Sequence, residues 1–155
     1  MDTNLDRIAN EKFMEEALAE AGMAFDEREV PIGAVAVSNN EIIARDHNRT
    51  IQLNDPTAHA EILLLRKAAR IIGNYRLSGL TIYVTVEPCP MCAGALIQAR
   101  VDQLVFGAPD QKGGGVVSRF SILEPGKLNH HISVIPGILE EQCREIMQRF
   151  FSKRR

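Results

Sequence analysis

The 155-residue chain lacks several features that would remove it from the ordinary globular class. It has no long hydrophobic run. The most apolar stretch, around Ile62–Leu65, is far short of the roughly 20 residues that cross a bilayer. An apolar leader is also missing: Met1-Asp2-Thr3-Asn4-Leu5-Asp6 is polar and acidic, and it does not read as a secretory signal. Cysteine is scarce, with three residues in all, and an odd count without such a signal argues against a disulfide framework. In a reducing compartment those thiols are better read as metal ligands or catalytic groups. Charge of one sign is not in excess. A net charge of −2 excludes a surface that is uniformly a nucleic-acid glue, yet leaves room for a local basic patch. Repeats, low-complexity tracts and linker-like runs are absent, so residues 1–155 read as one continuous domain. With 45% apolar and 25% charged residues, the chain can build a core and is not disordered.

Periodicity supplies the elements. Arg7–Phe25 reads as a helix with Ile8, Phe13, Met14, Ala17, Leu18, Ala21 and Phe25 on one stripe, stopped by Pro31. Gly33–Ser38 and Glu41–Asp46 read as a β-hairpin, because Asn39-Asn40 tolerates the positive φ of a tight turn. Asp55-Pro56-Thr57 looks like a helix start, with a capping residue and then a proline; that helix runs to Ile72 and ends at Gly73-Asn74. A buried strand at Thr81–Val86, a helix from Pro88-Cys89 to about Ala99 and a strand at Gln103–Phe106 follow. Gly107–Gly126 is mostly irregular, Ile132–Ile135 is a weaker fifth strand, and a last helix buries Leu139, Cys143, Ile146, Met147 and Phe150. This order implies a mixed α/β sheet with helices on both faces and a parallel portion beside the hairpin.

Two short segments carry chemistry: Thr57-Ala58-His59-Ala60-Glu61 and Glu87-Pro88-Cys89-Pro90-Met91-Cys92, each on the first turn of a helix. Cys89 and Cys92, three apart, share one helix face and can grip one ion, and a helix start favours their thiolate forms. His59 would add a neutral imidazole. Three protein ligands leave a fourth tetrahedral position for water, the arrangement of a catalytic zinc. Glu61, two residues after His59, can reach that position and move a proton, which suits hydrolytic removal of an amine from an aromatic ring. Other readings stand beside this one. A Cys-x-x-Cys pair can be half of a structural zinc site, with His47, His130, His131 or Cys143 as the fourth ligand, or a redox pair that leaves His59 and Glu61 without a role. Gly113-Gly114-Gly115 lacks the following Lys-Ser/Thr of a phosphate loop.

The joint pattern resembles the zinc-dependent nucleic-acid and nucleoside deaminases, and within them the bacterial tRNA-specific adenosine deaminases. The resemblance spans nearly the whole chain. It rests on Asp26-Glu27-Arg28-Glu29-Val30-Pro31-Ile32-Gly33-Ala34-Val35, Asn48, Asp55 to Ile62, Asn74-Tyr75-Arg76-Leu77, Tyr83-Val84-Thr85, Glu87 to Ala95, Val105-Phe106-Gly107-Ala108, and Gly137 through Phe151. It implies a three-layer α/β/α sandwich around a mixed five-stranded sheet, as in cytidine deaminases. It implies one zinc per subunit, held by His59, Cys89 and Cys92, with Glu61 as the catalytic proton shuttle. Asn48 would hydrogen-bond the flipped base and Val30 would line its pocket. Backbone groups of Ala60 and Pro88 would hold the water and amine, and Asp110 would contact a neighbouring sugar. The implied reaction is adenosine to inosine at the wobble position of a tRNA anticodon, by a cytoplasmic homodimer that uses no membrane. The alternative is a small-molecule deaminase acting on guanine, cytosine or a nucleoside, and the rival of another class is a zinc-stabilised binding module. The chain departs from the family pattern at Gly113-Gly114-Gly115-Val116-Val117, where extra glycine widens the allowed backbone and loosens the implied RNA contacts. Five basic residues and one acid between Arg144 and Arg155 give that end a net charge of +4, an expected contact for RNA phosphates.

Overall fold

The computed structural model describes residues 3–126 and 130–153. Helix α1 (Asn4–Asp26) is opened by a capping box between Thr3 and Asp6, which starts it three residues before the expected Arg7. Its buried face is Asn10, Phe13, Met14, Ala17, Glu20, Ala21 and Ala24, while Ile8 points to solvent. The helix ends at Asp26 and Arg28 turns the chain at φ +64°, so Pro31 is not what stops it. Strands β1 (Gly33–Ser38) and β2 (Glu41–His47) form the expected hairpin, with Asn39 at φ +49° and Asn40 at φ +64°.

Helix α2 (Ala60–Ile72) begins later than the sequence suggests. Asp55 caps no helix: its Oδ1 accepts the Thr57 N–H at 2.8 Å and the Thr57 hydroxyl at 2.7 Å, which closes a local turn instead. His59 is the residue that stands before the first helical turn. Strand β3 (Thr81–Val86), helix α3 (Pro90–Ala99), strands β4 (Gln103–Ala108) and β5 (Ser133–Ile135), and helix α4 (Glu140–Lys153) complete the order. Leu139 lies outside α4 at φ +53°, yet still packs against the core its apolar spacing marks it for.

The sheet runs β2-β1-β3-β4-β5, antiparallel at β2-β1-β3 and parallel at β3-β4-β5. Its alternating side chains serve two cores. Ala34, Ala36, Ile82, Val84, Leu104 and Phe106 face α2 and α3, whereas Val35, Val37, Tyr83 and Val105 face Phe13, Met14 and Ala17 of α1 and Cys143 of α4. The result is the expected α/β/α sandwich on a mixed five-stranded sheet. Two glycines set how closely one helical layer sits. A Cβ at Gly33 would lie 2.2 Å from the Ala17 carbonyl oxygen, and one at Gly107 would lie 2.3 Å from the Cys143 sulfur. Cys143 is therefore a packing residue, and burial pushes its thiol up to about 12. Among the described residues, no helix is long and apolar enough to cross a membrane.

Candidate active site and metal centre

Two helix starts meet at the end of β3. His59 precedes the first residue of α2, Cys89 precedes the first residue of α3, and Cys92 is the third residue within α3. Pro90, in the first turn of α3, costs no hydrogen bond there, so the helix can begin sharply after Cys89. His59 Nδ1 lies 3.6 Å from both Cys89 Sγ and Cys92 Sγ. A tetrahedral zinc with ordinary bond lengths of about 2.0 Å to nitrogen and about 2.3 Å to sulfur needs an N···S edge of roughly 3.5 Å. The donor set and its spacing fit that ion.

The electrostatics of the cluster agree. The hydrogen bond from Cys92, helped by His59, holds Cys89 down to about 4, so it is a thiolate at neutral pH. The hydrogen bond with Cys89 raises His59, and the same pairing with Cys89, together with burial, raises Cys92. Glu61, on the first turn of α2, is buried beside Cys92; burial pushes its carboxyl up to about 7 despite an opposing hydrogen bond from its own N–H.

None of the other residues considered as a fourth ligand joins the cluster. His47 lies between Glu20 and Glu27 at 2.9 Å from each, His130 Nε2 is 2.7 Å from the Val101 carbonyl, and Cys143 is buried on the opposite face of the sheet. Glu20, Asp46 and His47 also converge, but Arg45, Arg49 and Lys67 already meet those carboxylates, which makes the group an ion-pair network.

Backbone bonds hold the remaining candidates around the two helix starts. Asn48 is buried at the end of β2, and its N–H bonds the Ile32 carbonyl at 3.0 Å; the next residue, Arg49, bonds the Ala58 carbonyl at 3.0 Å. Val30 is half-buried and its carbonyl accepts the Ile32 N–H, so Val30, Asn48 and the His59 turn belong to one stapled unit. Ala60 opens α2, where the first N–H groups have no partner within the helix. The Pro88 carbonyl takes the Gly115 N–H at 2.8 Å and retains a second lone pair. Asp110 stands on the rim of a groove of ≈ 1080 Å³ that runs between residues 108–113 and α4, bordered there by Arg144, Met147 and Phe151. Its Oδ1 already accepts the Lys112 and Gly113 N–H groups at 3.1 Å each.

The triglycine segment corrects its sequence reading. These residues are not there for looseness. A Cβ at Gly114 would lie 2.4 Å from the Glu87 carboxylate carbon, and one at Gly115 would lie 2.7 Å from the Pro90 nitrogen. Glycine is what lets the loop close onto α3. The basic end is partly engaged as well: Arg144 pairs with Glu140 and Glu141, while Arg149 and Lys153 sit over the Phe25 ring at 5.4 and 5.2 Å. Phe150 is buried edge-on to Phe25, and Phe151 is exposed at the groove. Arg154 and Arg155 lie outside the described residues.

Two buried acids that hold loops beside the site escape a sequence reading. Glu29 is buried and accepts the N–H groups of Ile51 and Gln52 at 3.1 and 2.7 Å, holding the turn that follows Asn48. Glu87 is buried and gathers donors from the segment 110–118. The only local signal for either is an acid set directly beside an apolar run.

Comparison with known proteins places this geometry. The family model for MafB19-like deaminases matches residues 8–155. A tRNA-specific adenosine deaminase of Bacillus subtilis (strain 168) is 47% identical over 146 residues, covering 94% of this chain and 91% of that protein. Another from Haemophilus influenzae (strain ATCC 51907 / DSM 11121 / KW20 / Rd) is 48% identical over 147 residues, covering 94% and 85%. A solved structure described under A-to-I editing by tRNA:A34 deaminases at the wobble position superposes with a TM-score of 0.84 at 47% identity, over 87% of this chain and 98% of that one. Sharing nearly half its residues with these proteins over almost its full length, and their fold as well, the chain belongs to the tRNA-specific adenosine deaminase family.

Proposed function

We propose that this chain converts adenosine to inosine, hydrolytically, at the wobble position of a tRNA anticodon. The observation that carries the reading is one cluster in which His59 Nδ1, two cysteine sulfurs and the buried Glu61 carboxyl converge. His59, Cys89 and Cys92 would hold one zinc, whose Lewis acidity makes water nucleophilic near neutral pH. Glu61 takes one proton of the attacking water and gives it to the ring nitrogen, then takes the second from the hydroxyl now on the ring carbon and passes it to the departing amine. The balance is one water consumed, one C–O bond formed, one C–N bond broken and ammonia released. Asn48 holds the flipped base by hydrogen bonds, and Val30 packs on it. Backbone groups of Ala60 and Pro88 orient the water and the amine, and Asp110 meets the sugar of a flanking nucleotide. An unpaired anticodon loop makes extrusion of the base cheaper than it is in a duplex.

A cytoplasmic homodimer is part of the same proposal. Ile71, Ile72, Tyr75 and Met91 are exposed apolar side chains on or beside α2 and α3, the kind of surface a second copy covers. Sedimentation reads this directly, and a monomer at micromolar concentration excludes it. The activity is tested by incubating the protein with a tRNA-arginine anticodon stem-loop beside free adenosine, cytidine and guanine, scoring inosine, uridine and xanthine. Inosine in the stem-loop is the expected product. Xanthine from guanine, or uridine from cytidine, with an unedited stem-loop would replace this reading with a small-molecule deaminase.

A further inference from the structure

We propose that Glu87 is a positioning residue for this reaction: its carboxylate fixes the 110–118 segment against the start of α3 and so sets where the groove holds the nucleotide beside the reacting base. The proposal rests on the tRNA reading above. Glu87 lies between β3 and the first metal-candidate cysteine, and its own N–H bonds the Ala108 carbonyl at 2.9 Å. Only 3% of it is exposed. Its Oε1 accepts the Asp110 N–H at 3.0 Å and the Ser118 hydroxyl at 2.5 Å. Its Oε2 accepts the N–H groups of Val116, Val117 and Ser118 at 3.1, 2.8 and 3.0 Å. Five donors on one buried side chain demand a group that only accepts, and an ionised carboxylate is that group.

The segment so held forms one wall of the groove of ≈ 1080 Å³. Asp110, Gln111, Lys112 and Gly113 line it opposite Arg144 and Phe151. Asp110 is steered twice: Glu87 anchors its N–H, and its own Oδ1 closes the turn onto Lys112 and Gly113. Gly114 and Gly115 let the loop lie against Glu87 and Pro90 with no room for a methyl group. The start of α3 and the groove wall are therefore joined by the Pro88 carbonyl at Gly115 and, at the five donors of residues 110–118, by one carboxylate two residues before Cys89. That carboxylate touches neither the candidate ligands nor Glu61 among the hydrogen bonds described, so its removal should alter substrate placement and leave the metal where it is.

The experiment compares Glu87→Gln, Gly114→Ala, Glu87→Ala and the Glu87→Ala/Gly114→Ala double variant, measuring zinc content and stem-loop KM and kcat. Gln places an NH2 where an oxygen accepted, setting donor against donor at near-constant volume. Zinc should remain at wild-type content while KM rises about tenfold and kcat stays within about threefold. Gly114→Ala should give the same split with Glu87 intact, because its methyl meets the carboxylate. Once Glu87 is alanine the clash is gone, so the double variant should be no worse than Glu87→Ala. Zinc lost along with activity, an unmoved KM, or additive effects in the double variant would each overturn the proposal. A wild-type protein that leaves the stem-loop unedited would sink the tRNA reading instead, and amide exchange still decides the positioning. The Val116–Ser118 amides should exchange slowly in the wild type and at least about tenfold faster in Glu87→Gln. Equal rates in the two proteins overturn it.

Discussion

At the scale of single residues, three buried acids divide the labour. Glu61 stands among thiol and imidazole groups, where burial keeps its proton near neutral pH. Glu29 and Glu87 are held by N–H donors and hold loops in return. Glu61→Gln keeps the size and loses the proton carrier, so turnover should fall at least ~10²-fold while zinc content is unchanged. Activity within a few-fold of wild type would remove Glu61 from the mechanism. Asp46 gives a pH signature. Burial alone would raise its carboxyl, but the Arg49 bond, the His47 N–H and Lys67 hold it below its ordinary value of 3.8. A folded-state pKa below the unfolded one adds stability that is fully present above the unfolded value and is lost as pH falls through the folded one. Asp46→Asn should therefore be less stable than wild type above the unfolded carboxyl's value of about 3.9, with the gap narrowing as pH falls below it. Denaturant melts at pH 7 and pH 3 read this. A gap of the same size at both would mean that shape, not charge, matters at that position.

Among the elements, the alternating strands and the last helix were legible because burial itself writes their period: Val35, Val37, Tyr83 and Val105 on one face, Ala34, Ala36, Ile82 and Phe106 on the other. The approach of His59 to the two cysteines followed from placing each motif at a helix start. What escaped were choices settled by partners distant in the chain. Asp55 looks like a helix cap, and only the folded turn shows that Thr57 takes its side chain while α2 waits for Ala60. Ile8 has the spacing of a core residue, but it lies exposed near the start of α1. Glu87 is read as one more acid until the loop more than twenty residues on bends back to it. Gly33 marks another such closeness. Gly33→Ala inserts a methyl where the Ala17 carbonyl and the Ala21 nitrogen already stand, at 2.2 and 2.4 Å. Forcing α1 away from β1 should cost about 3 kcal/mol. Gly73→Ala, with open space around its Cβ but φ +77°, should cost less, about 1 kcal/mol. Urea midpoints of the two variants test the order.

For the molecule as a whole, the metal is a proposed tie between α2 and α3, which otherwise meet mainly through the core beneath them. Free zinc at a hundred times its Kd would add about 2.7 kcal/mol. For a chain of this size, that is roughly 5–10 °C in Tm. Chelation should lower the melting point by that amount, and zinc should restore it. A melting point indifferent to chelator would mean the cluster is stable without an ion. The order in which the layers are supplied has a consequence for biosynthesis. Every residue of the candidate metal cluster has been translated by Cys92, whereas α4, which seats Cys143 against Gly107 and Phe150 against Phe25, is made later. A nascent chain paused before Glu140 therefore already holds its metal ligands while Val105 and one flank of the sheet lie bare. Such a chain can take up an ion before α4 docks, so the metal cluster and the groove wall that α4 supplies are completed at separate steps.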